Sequence, residues 1–174
     1  MNRRAKGSRQ DAPNTVSRQE LLVNGSDFEF RQFIHDSLAF SARLLAVRDG
    51  YGRVIGLTGQ QYIILISIAH LASRGAVTVS GVADHLYLSG SFVTTETNKL
   101  VRLGLVTKST DPADRRRVLL ASTEEASRRL RELAGIQVQV NDVHFGQLSR
   151  EEFDLLRSIM PRMLQPTEQA LSCR

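Results

Sequence analysis

Cysteine is almost absent from this chain of 174 residues: the one thiol, Cys173, stands next to the C-terminal Arg174. One thiol excludes a disulfide within the chain and a cysteine-rich zinc site, and leaves open only a disulfide between chains. No apolar run reaches the roughly 18 residues of a membrane-spanning helix, and no apolar segment follows the basic start to make a secretory signal. We therefore expect a cytoplasmic protein without a membrane partner.

The residue groups on which most enzymes depend are also missing. The four histidines, His35, His70, His85 and His144, are scattered without the spacing of metal ligands. The sequence contains no nucleophile motif of the G-x-S-x-G type and no glycine-rich phosphate loop after a strand. These absences predict a protein that is not an enzyme and that carries no metal and no cofactor.

Positive charge, in contrast, is in excess. The 23 lysines and arginines outnumber 18 aspartates and glutamates, which gives a formal charge of +5. This excess favours a polyanion as partner, although many basic proteins bind no nucleic acid. Residues 1–25 are basic and polar and lack apolar periodicity, which predicts a flexible N-terminal arm.

A first helix is predicted over residues 27–49. Ser26 and Glu29 match a capping box at its start, and apolar residues follow at helical spacing. Gly50 and Gly52 are expected to stop it.

A central, buried helix is predicted next. Thr58 and Gln61 match a second capping box ahead of the run 62-YIILISIAHLA-72. Because this run is apolar on most sides, we expect the helix to form the core of the domain and to end by Gly75.

Two short helices joined by a tight turn are predicted after a brief extended piece. Thr78 is a suitable N-cap for the first helix, over residues 79–88. Ser89 can cap the second, over residues 90–104, and Gly104 stands at its end. This order is the helix-turn-helix arrangement.

A two-stranded wing is predicted where the period changes to that of strands, with residues 105–109 and 117–121 on either side of a loop. The loop ends in three arginines, Arg115 to Arg117, which repel one another unless an anion lies between them. Arginines at such a tip are suited to phosphate or to the minor groove of DNA. The alternative, a surface ion pair with Asp114 and no ligand, would contribute under about 1 kcal/mol.

Two further helices are predicted in the C-terminal part. Ser122 with Glu125 is expected to cap one that runs to about residue 145. Ser149 with Glu152 is expected to cap the last one, with a kink at Pro161. The last helix carries an apolar stripe that should bind a partner chain, with packing inside one chain as the alternative; the stripe comprises Phe153, Leu156, Ile159 and Met163.

The second short helix has two chemically distinct faces. Val93, Thr97 and Leu100 are expected to face inward. The outward arc is polar, and its hydroxyls can bond base edges or phosphates, its asparagine can pair with adenine, and its lysine can meet phosphate. A solvated helix face is the alternative, and the neighbouring arginine hairpin favours DNA. This arc comprises Ser91, Thr94, Thr95, Asn98 and Lys99.

From Thr58 to Leu130 the sequence resembles the MarR family of bacterial winged-helix regulators. The resemblance lies in the T-x-x-Q helix start, the helix-turn-helix, the stretch L-V-R-L-G-L-V, the wing signature D-P-x-D-R-R and the Ser/Thr-Glu start of the next helix. Residues of the wing match the signature one by one, which implies that Asp114 orients an adjacent arginine and that Arg115 or Arg116 enters the groove. Members of the family often carry Arg or Lys where Thr95 stands and an acidic residue where Asn98 stands.

The resemblance implies a homodimer whose first and last helices interlock and which presents two winged helix-turn-helix lobes to a pseudo-palindromic operator, most often as a repressor. The predicted fold is mainly α with a small β-hairpin wing. Residues 26–57 would hold the first helix and its connection for dimerisation, residues 58–122 the DNA-binding region, and residues 123–174 the C-terminal dimerisation helices. A winged-helix module that only contacts other proteins is the alternative.

Two sets of binding residues are predicted. The residues of the first set are expected to bind double-stranded DNA; they are Thr78, Ser89, Ser91, Thr94, Thr95, Asn98, Lys99, Asp114, Arg115 and Arg116. The resemblance also implies a small aromatic or acidic effector held between the dimerisation helices and the DNA-binding lobe, where His and Arg can receive a carboxylate or phenolate. The residues expected there are His35, Ser37, Ser41, Arg43 and Tyr62.

Overall fold

The structure, a computed structural model, describes residues 13–164 and 167–172. Within these ranges a 3-10 turn at Gln19–Leu21 precedes seven α-helices and three short strands. In chain order they are α1 (Phe28–Val54), α2 (Gly59–Ala72), β1 (Val77–Thr78), α3 (Val79–Leu86), α4 (Gly90–Arg102), β2 (Val106–Thr110), β3 (Val118–Ser122), α5 (Glu124–Phe145), α6 (Arg150–Leu164) and α7 (Thr167–Leu171). The predicted mainly α fold with a small hairpin wing is confirmed.

Helix α2 is the centre of the hydrophobic core, as its apolar run predicts. Its Ile64, Leu65 and Ile68 are fully buried. They pack in one cluster with buried side chains from α3, α4, both long strands and α5. Each fully buried aliphatic side chain contributes roughly 1.5–3 kcal/mol, so the lobe that carries α3, α4 and the wing is held together through α2.

The start of α1 differs from the predicted Ser26–Glu29 capping box. The N-cap is Asp27, whose side chain caps no backbone amide of the helix. Its carboxylate instead accepts hydrogen bonds from the Arg31 guanidinium at 2.6 and 2.9 Å, and from the backbone N and the hydroxyl of Thr15 at 2.6 and 2.7 Å. The Arg31 guanidinium, followed by the Thr15 amide, lowers the pKa of Asp27 to about 2.

The charged Asp27 carboxylate binds both Thr15 and Arg31, and charge-assisted hydrogen bonds of this kind are stronger than those of a serine hydroxyl. Asp27 is therefore the N-cap of α1, and the expected box of Ser26 and Glu29 does not form. The same contacts hold Thr15, in the second part of the predicted arm, against the start of α1. Residues 1–12 and Cys173 lie outside the described residues, so the predictions made for them stay predictions.

The end of α1 also differs from its prediction, because the helix continues through Gly50 and Gly52 to Val54. Gly52 lies against the backbone of the next segment: a Cβ there would stand 2.8 Å from the carbonyl oxygen of Thr58. The chain reverses at Gly56, which has a left-handed φ of +76°. Gly52 is thus a close contact between segments and not a stop signal.

The three strands form one antiparallel sheet in the order β1-β3-β2, so the predicted hairpin gains a third strand. Both long strands lie one residue later than predicted. Ser122, the expected cap of α5, therefore pairs with Val106 in the sheet, and Thr123 caps the helix by accepting from the Ala126 amide at 3.2 Å.

The other predicted caps are confirmed. Thr58 and Gln61 form a reciprocal capping box on α2, and Ser149 and Glu152 form one on α6 with distances of 2.8 and 3.2 Å. Helix α6 continues through Pro161 to Leu164. Within the part of the chain that the structure describes, no single helix combines the length and apolarity needed to cross a membrane; α1 and α2 meet those criteria only as a pair bent by 89°.

Two glycines of α1 should respond oppositely to alanine. Gly52→Ala should lower the free energy of unfolding by about 1–3 kcal/mol, because the new methyl overlaps backbone that cannot move away easily. Gly50→Ala, whose Cβ would meet only the end of the Arg53 side chain at 3.9 Å, should raise it by about 0.5–1 kcal/mol through helix propensity. Urea unfolding of both variants measures the difference, and equal effects of the two would contradict the role given to Gly52.

Candidate nucleic-acid interface

The turn between α3 and α4 spans three residues, 87–89. Tyr87 adopts a left-handed conformation with φ 54° and ends α3. Ser89 then caps α4 by accepting from the Phe92 amide at 3.2 Å, as predicted. Val82 of α3 and Val93 of α4 are both fully buried, so the two helices keep a fixed mutual orientation.

Thr78, one of the predicted DNA-binding residues, has a different environment from the others. Its side chain is buried and its hydroxyl accepts from the Gly81 amide at 3.0 Å, which caps α3. The hydroxyl also lies 3.1 Å from that of Ser80. The structure therefore gives Thr78 a capping task at the base of the helix-turn-helix.

Helix α4 has the two faces expected of it. Val93, Thr97 and Leu100 are fully buried. Of the outward arc, Lys99 is half-buried and the other four residues are exposed. The hydroxyls of Thr94 and Thr95 donate to carbonyl oxygens one turn back, at 2.8 and 3.0 Å, so towards solvent they offer only acceptor lone pairs.

Glu96 is an inward-facing residue of α4 that the sequence analysis missed. This carboxylate is buried, and it accepts from the Gln61 amide at 3.1 Å and from the Lys99 ammonium at 2.6 Å. Glu96 lies three residues after Val93 and four before Leu100, and this helical spacing could have predicted that it is on the buried face of α4. Lys99, expected at phosphate, is thus paired within its own helix.

Lys108 of β2 is a second residue that the sequence analysis missed. Its ammonium donates to the side-chain oxygen of Asn98 at 2.7 Å, and so joins the wing to the outward arc of α4. The lysine is half-buried, and this burial lowers its pKa.

The wing loop is held by both of its aspartates. Asp111 is buried, accepts from the Ala113 amide at 2.9 Å and lies 3.4 Å from the Arg117 guanidinium. Asp114 accepts from the backbone N of Arg116 at 3.0 Å. Asp114 was expected to contact a neighbouring guanidinium, but it binds a backbone amide instead. The guanidinium that lies next to an aspartate is that of Arg117, beside Asp111.

Arg115 and Arg116 are left exposed at the tip. Neither has an acidic partner among residues 13–164 and 167–172. Both guanidinium groups are therefore available to an anion, as the sequence analysis expects.

The residues predicted for an effector are not brought together. Arg43 lines a cavity of about 560 Å³ between α1 and α5, but His35, Ser37 and Ser41 do not line it. Tyr62 is in the core, where its ring packs against Tyr51 and its hydroxyl accepts from Gln137 at 2.8 Å. The other lining residues are Val47, Gln139, Val140, Val143 and His144.

His144 lines this cavity from α5, although it is not among the effector residues predicted from the sequence. Its Nδ1 is buried and has no hydrogen-bond partner among the described residues. Its ring stacks on Phe145 with a centroid distance of 4.6 Å. No group of three metal-ligating side chains occurs in the described part of the chain.

The fold and the polar face of α4 beside an arginine-tipped hairpin define a winged helix-turn-helix protein. Residues 55–117 match the model of the MarR family. The resemblance to the MarR family that was stated from the sequence is therefore confirmed over this segment. A comparison with curated proteins gives no significant match.

Solved structures share this fold over most of their length. A MarR protein from Peptoclostridium difficile is 16% identical, with a TM-score of 0.67 over 86% of this chain and 94% of that one. A MarR mutant from E. coli in complex with operator DNA is 19% identical, with a TM-score of 0.62 over 79% and 94%. CouR from Rhodococcus jostii RHA1, bound to p-coumaroyl-CoA, is 24% identical, with a TM-score of 0.63 over 72% and 87%.

The buried contact between Gln61 and Glu96 leads to a test of how α4 is held. Glu96→Ala should lower the free energy of unfolding by about 1–3 kcal/mol, because it leaves the Gln61 amide buried without an acceptor. Glu96→Gln keeps an oxygen for that amide and should lose less. Denaturant unfolding compares the two variants, and an alanine variant as stable as the wild type would show that the contact contributes nothing.

Proposed function

We propose that this chain is a homodimeric, sequence-specific DNA-binding transcriptional regulator that represses from a pseudo-palindromic operator. The observation that carries the proposal is the polar, exposed outward arc of α4, which the contact between Lys108 and Asn98 joins to the wing. At the tip of the same wing, Arg115 and Arg116 present two positive charges that have no acidic partner among the described residues. Residues 58–122 are the DNA-binding region in this proposal.

The polar arc and the arginine tip suit two different parts of DNA. A helix with short polar side chains fits the major groove, where base edges expose donors and acceptors. Arginines on a hairpin tip fit the adjacent minor groove, where the negative potential is strongest when the groove is narrow. Thr94, Thr95 and Asn98 would then read bases, while Ser89 and Ser91 at the start of α4 lie where helix amides and hydroxyls meet phosphate.

Apolar surface on the terminal helices supports the homodimer. Helix α6 has no buried residue, and Phe153, Leu155 and Leu156 are about half exposed on it. Helix α1 exposes Phe33, Leu38 and Leu45 to a similar extent. A single chain leaves these side chains in water, whereas association of two chains through residues 26–57 and 123–174 would cover them.

The proposal is tested by selecting bound sites from fragmented genomic DNA with the purified protein. An inverted repeat should be recovered, and its affinity should fall steeply with salt, with a log-log slope near −0.9 for each phosphate contacted. Sedimentation equilibrium should give twice the mass of one chain. A module that only contacts other proteins would recover no sequence above background, and that outcome would replace the proposal with the alternative.

The arginines at the tip of the wing should carry part of the DNA affinity. Arg115→Ala and Arg116→Ala should each weaken operator binding by about 1 kcal/mol or more and reduce the salt slope, while the melting temperature and the dimer stay unchanged. Arg131→Ala removes the same charge from α5, where the arginine pairs with Glu124, and serves as the matched control. Binding by both wing variants as tight as that of the wild type would refute the role of the wing.

We also propose that a small aromatic acid releases the protein from DNA by binding in the cavity between α1 and α5. The Arg43 guanidinium can bind a carboxylate at this cavity, and Val47, Val140 and Val143 provide apolar walls for a ring. Of the effector residues predicted from the sequence, only Arg43 belongs to this proposed site. CouR bound to p-coumaroyl-CoA shows that a protein of this fold holds a ligand with an aromatic group.

Simple aromatic carboxylates, with benzoate and hydroxybenzoates as probes, should raise the melting temperature and lower operator affinity. Arg43→Ala should raise the ligand concentration needed for both effects by about tenfold to a hundredfold, because a charge-assisted contact of about 1.5–3 kcal/mol is lost. Arg48→Ala, on the same helix and over the ring of Tyr51, is the control. A full response of the Arg43 variant to the probes would exclude this cavity as the effector site.

A further inference from the structure

The side-chain oxygen of Asn98 accepts a hydrogen bond from Lys108, so a positively charged donor stands directly beside the amide that faces DNA. The two atoms that meet, Nζ of Lys108 and Oδ1 of Asn98, are 2.7 Å apart. An ammonium group can only donate, so the amide atom that faces it has to be the oxygen. The side-chain nitrogen of Asn98, with two N–H donors, therefore points away from Lys108. No residue that the structure describes accepts a hydrogen bond from this nitrogen.

This arrangement changes which base Asn98 can read. An asparagine that recognises adenine does so with both amide atoms, donating to N7 and accepting from the N6 amino group. The Asn98 oxygen keeps one lone pair, but the Lys108 ammonium beside it disfavours the N6 amino group of adenine, because both groups are donors. The Lys108 ammonium retains further N–H donors, so the pair presents mainly donors and a positive charge to a base edge. The base edge that offers two acceptors side by side in the major groove is that of guanine, with O6 and N7.

We propose that Lys108 is a specificity-determining residue of the operator contact, and that together with Asn98 it selects a guanine through O6 and N7. This inference rests on the proposed function and names one base that the protein reads. It proposes guanine where the sequence alone suggests that Asn98 can pair with adenine.

The backbone explains why Lys108 is positioned for this task. Val106 and Lys108 are two residues apart in β2, so their side chains leave the strand on the same side, and Val106 is buried in the core. The Lys108 stem therefore starts on the core side of the strand, and its ammonium reaches the surface at Asn98. A stem held in this way loses less rotamer freedom on binding than a free surface lysine.

The lysine of α4 itself does not compete for this role. The Lys99 ammonium lies 2.6 Å from the buried Glu96 carboxylate, on the inner side of the helix. Its charge is already paired with that carboxylate. The wing thus supplies, through Lys108, the ammonium group next to Asn98 that Lys99 does not supply.

The test is selection of bound sites from a random DNA library, followed by affinity measurements on single-base variants of the selected operator. The wild type should require guanine at one position of each half-site, with a loss of about fivefold to a hundredfold for adenine there. Lys108→Met keeps the apolar stem, removes the ammonium and releases the Asn98 oxygen. That variant should prefer adenine at this position, and Asn98→Ala should show no preference there.

A second variant works in the opposite direction. Asn98→Asp keeps the partner of Lys108 and replaces the N–H donors by a carboxylate oxygen, which can accept from the N4 amino group of cytosine. Its preference at the same position should move from guanine to cytosine. Arg102→Met, which removes one charge from the last turn of α4, is the control and should weaken binding to all sequences without changing any preference.

The outcomes separate this inference from the function on which it rests. If the wild type selects no site, the proposed function and the inference both fail. If the wild type selects an operator and Lys108→Met and Asn98→Asp keep its base preference at every position, only the inference is overturned. Circular dichroism and thermal melting show whether each variant is folded, and if one variant does not fold, the other decides.

Discussion

The contact between Gln61 and Glu96 is the constraint on which the position of the recognition helix depends. Gln61 stands in the first turn of the buried helix α2, where its oxygen accepts from the Thr58 amide at 3.1 Å and its nitrogen donates to Glu96 at 3.1 Å. One residue later than the cap, the Gly59 amide donates to Asp49 of α1 at 3.0 Å. The start of α2 therefore contacts both α1 and α4, and three hydrogen bonds fix the three helices relative to one another.

The sequence-based predictions were correct where the interacting residues are close in sequence and wrong where they are far apart in sequence. The caps at Thr78, Ser89 and Ser149 were predicted correctly, because a capping side chain finds its partner within three residues. The cap at Ser26 was wrong because Asp27 binds Thr15, twelve residues away, and Ser122 was displaced because the register of the sheet drew it into a strand. Local chemistry is visible in a sequence, whereas competition from a distant residue is not.

The candidate site shows the same limit. The buried and exposed faces of α4 follow from helical period alone, and the wing from its arginines. The contacts of Glu96 and Lys108 cross from one element to another, over 35 and 10 residues of sequence, so no pattern within α4 predicts them. The effector residues were chosen mainly along α1, but a cavity needs two walls, and His144 on α5 provides the second wall.

The absence of any buried residue in α6 has a thermodynamic consequence. A helix of 15 residues is only marginally stable in water when it has only its own hydrogen bonds and caps. The free-energy cost of nucleating the helix is then barely offset by the few hydrogen bonds of one short segment. If two chains associate through this helix, as proposed, then its order and their association are one linked equilibrium. The melting temperature would then rise with protein concentration, and dilution alone would begin to unfold the C-terminal part of the chain.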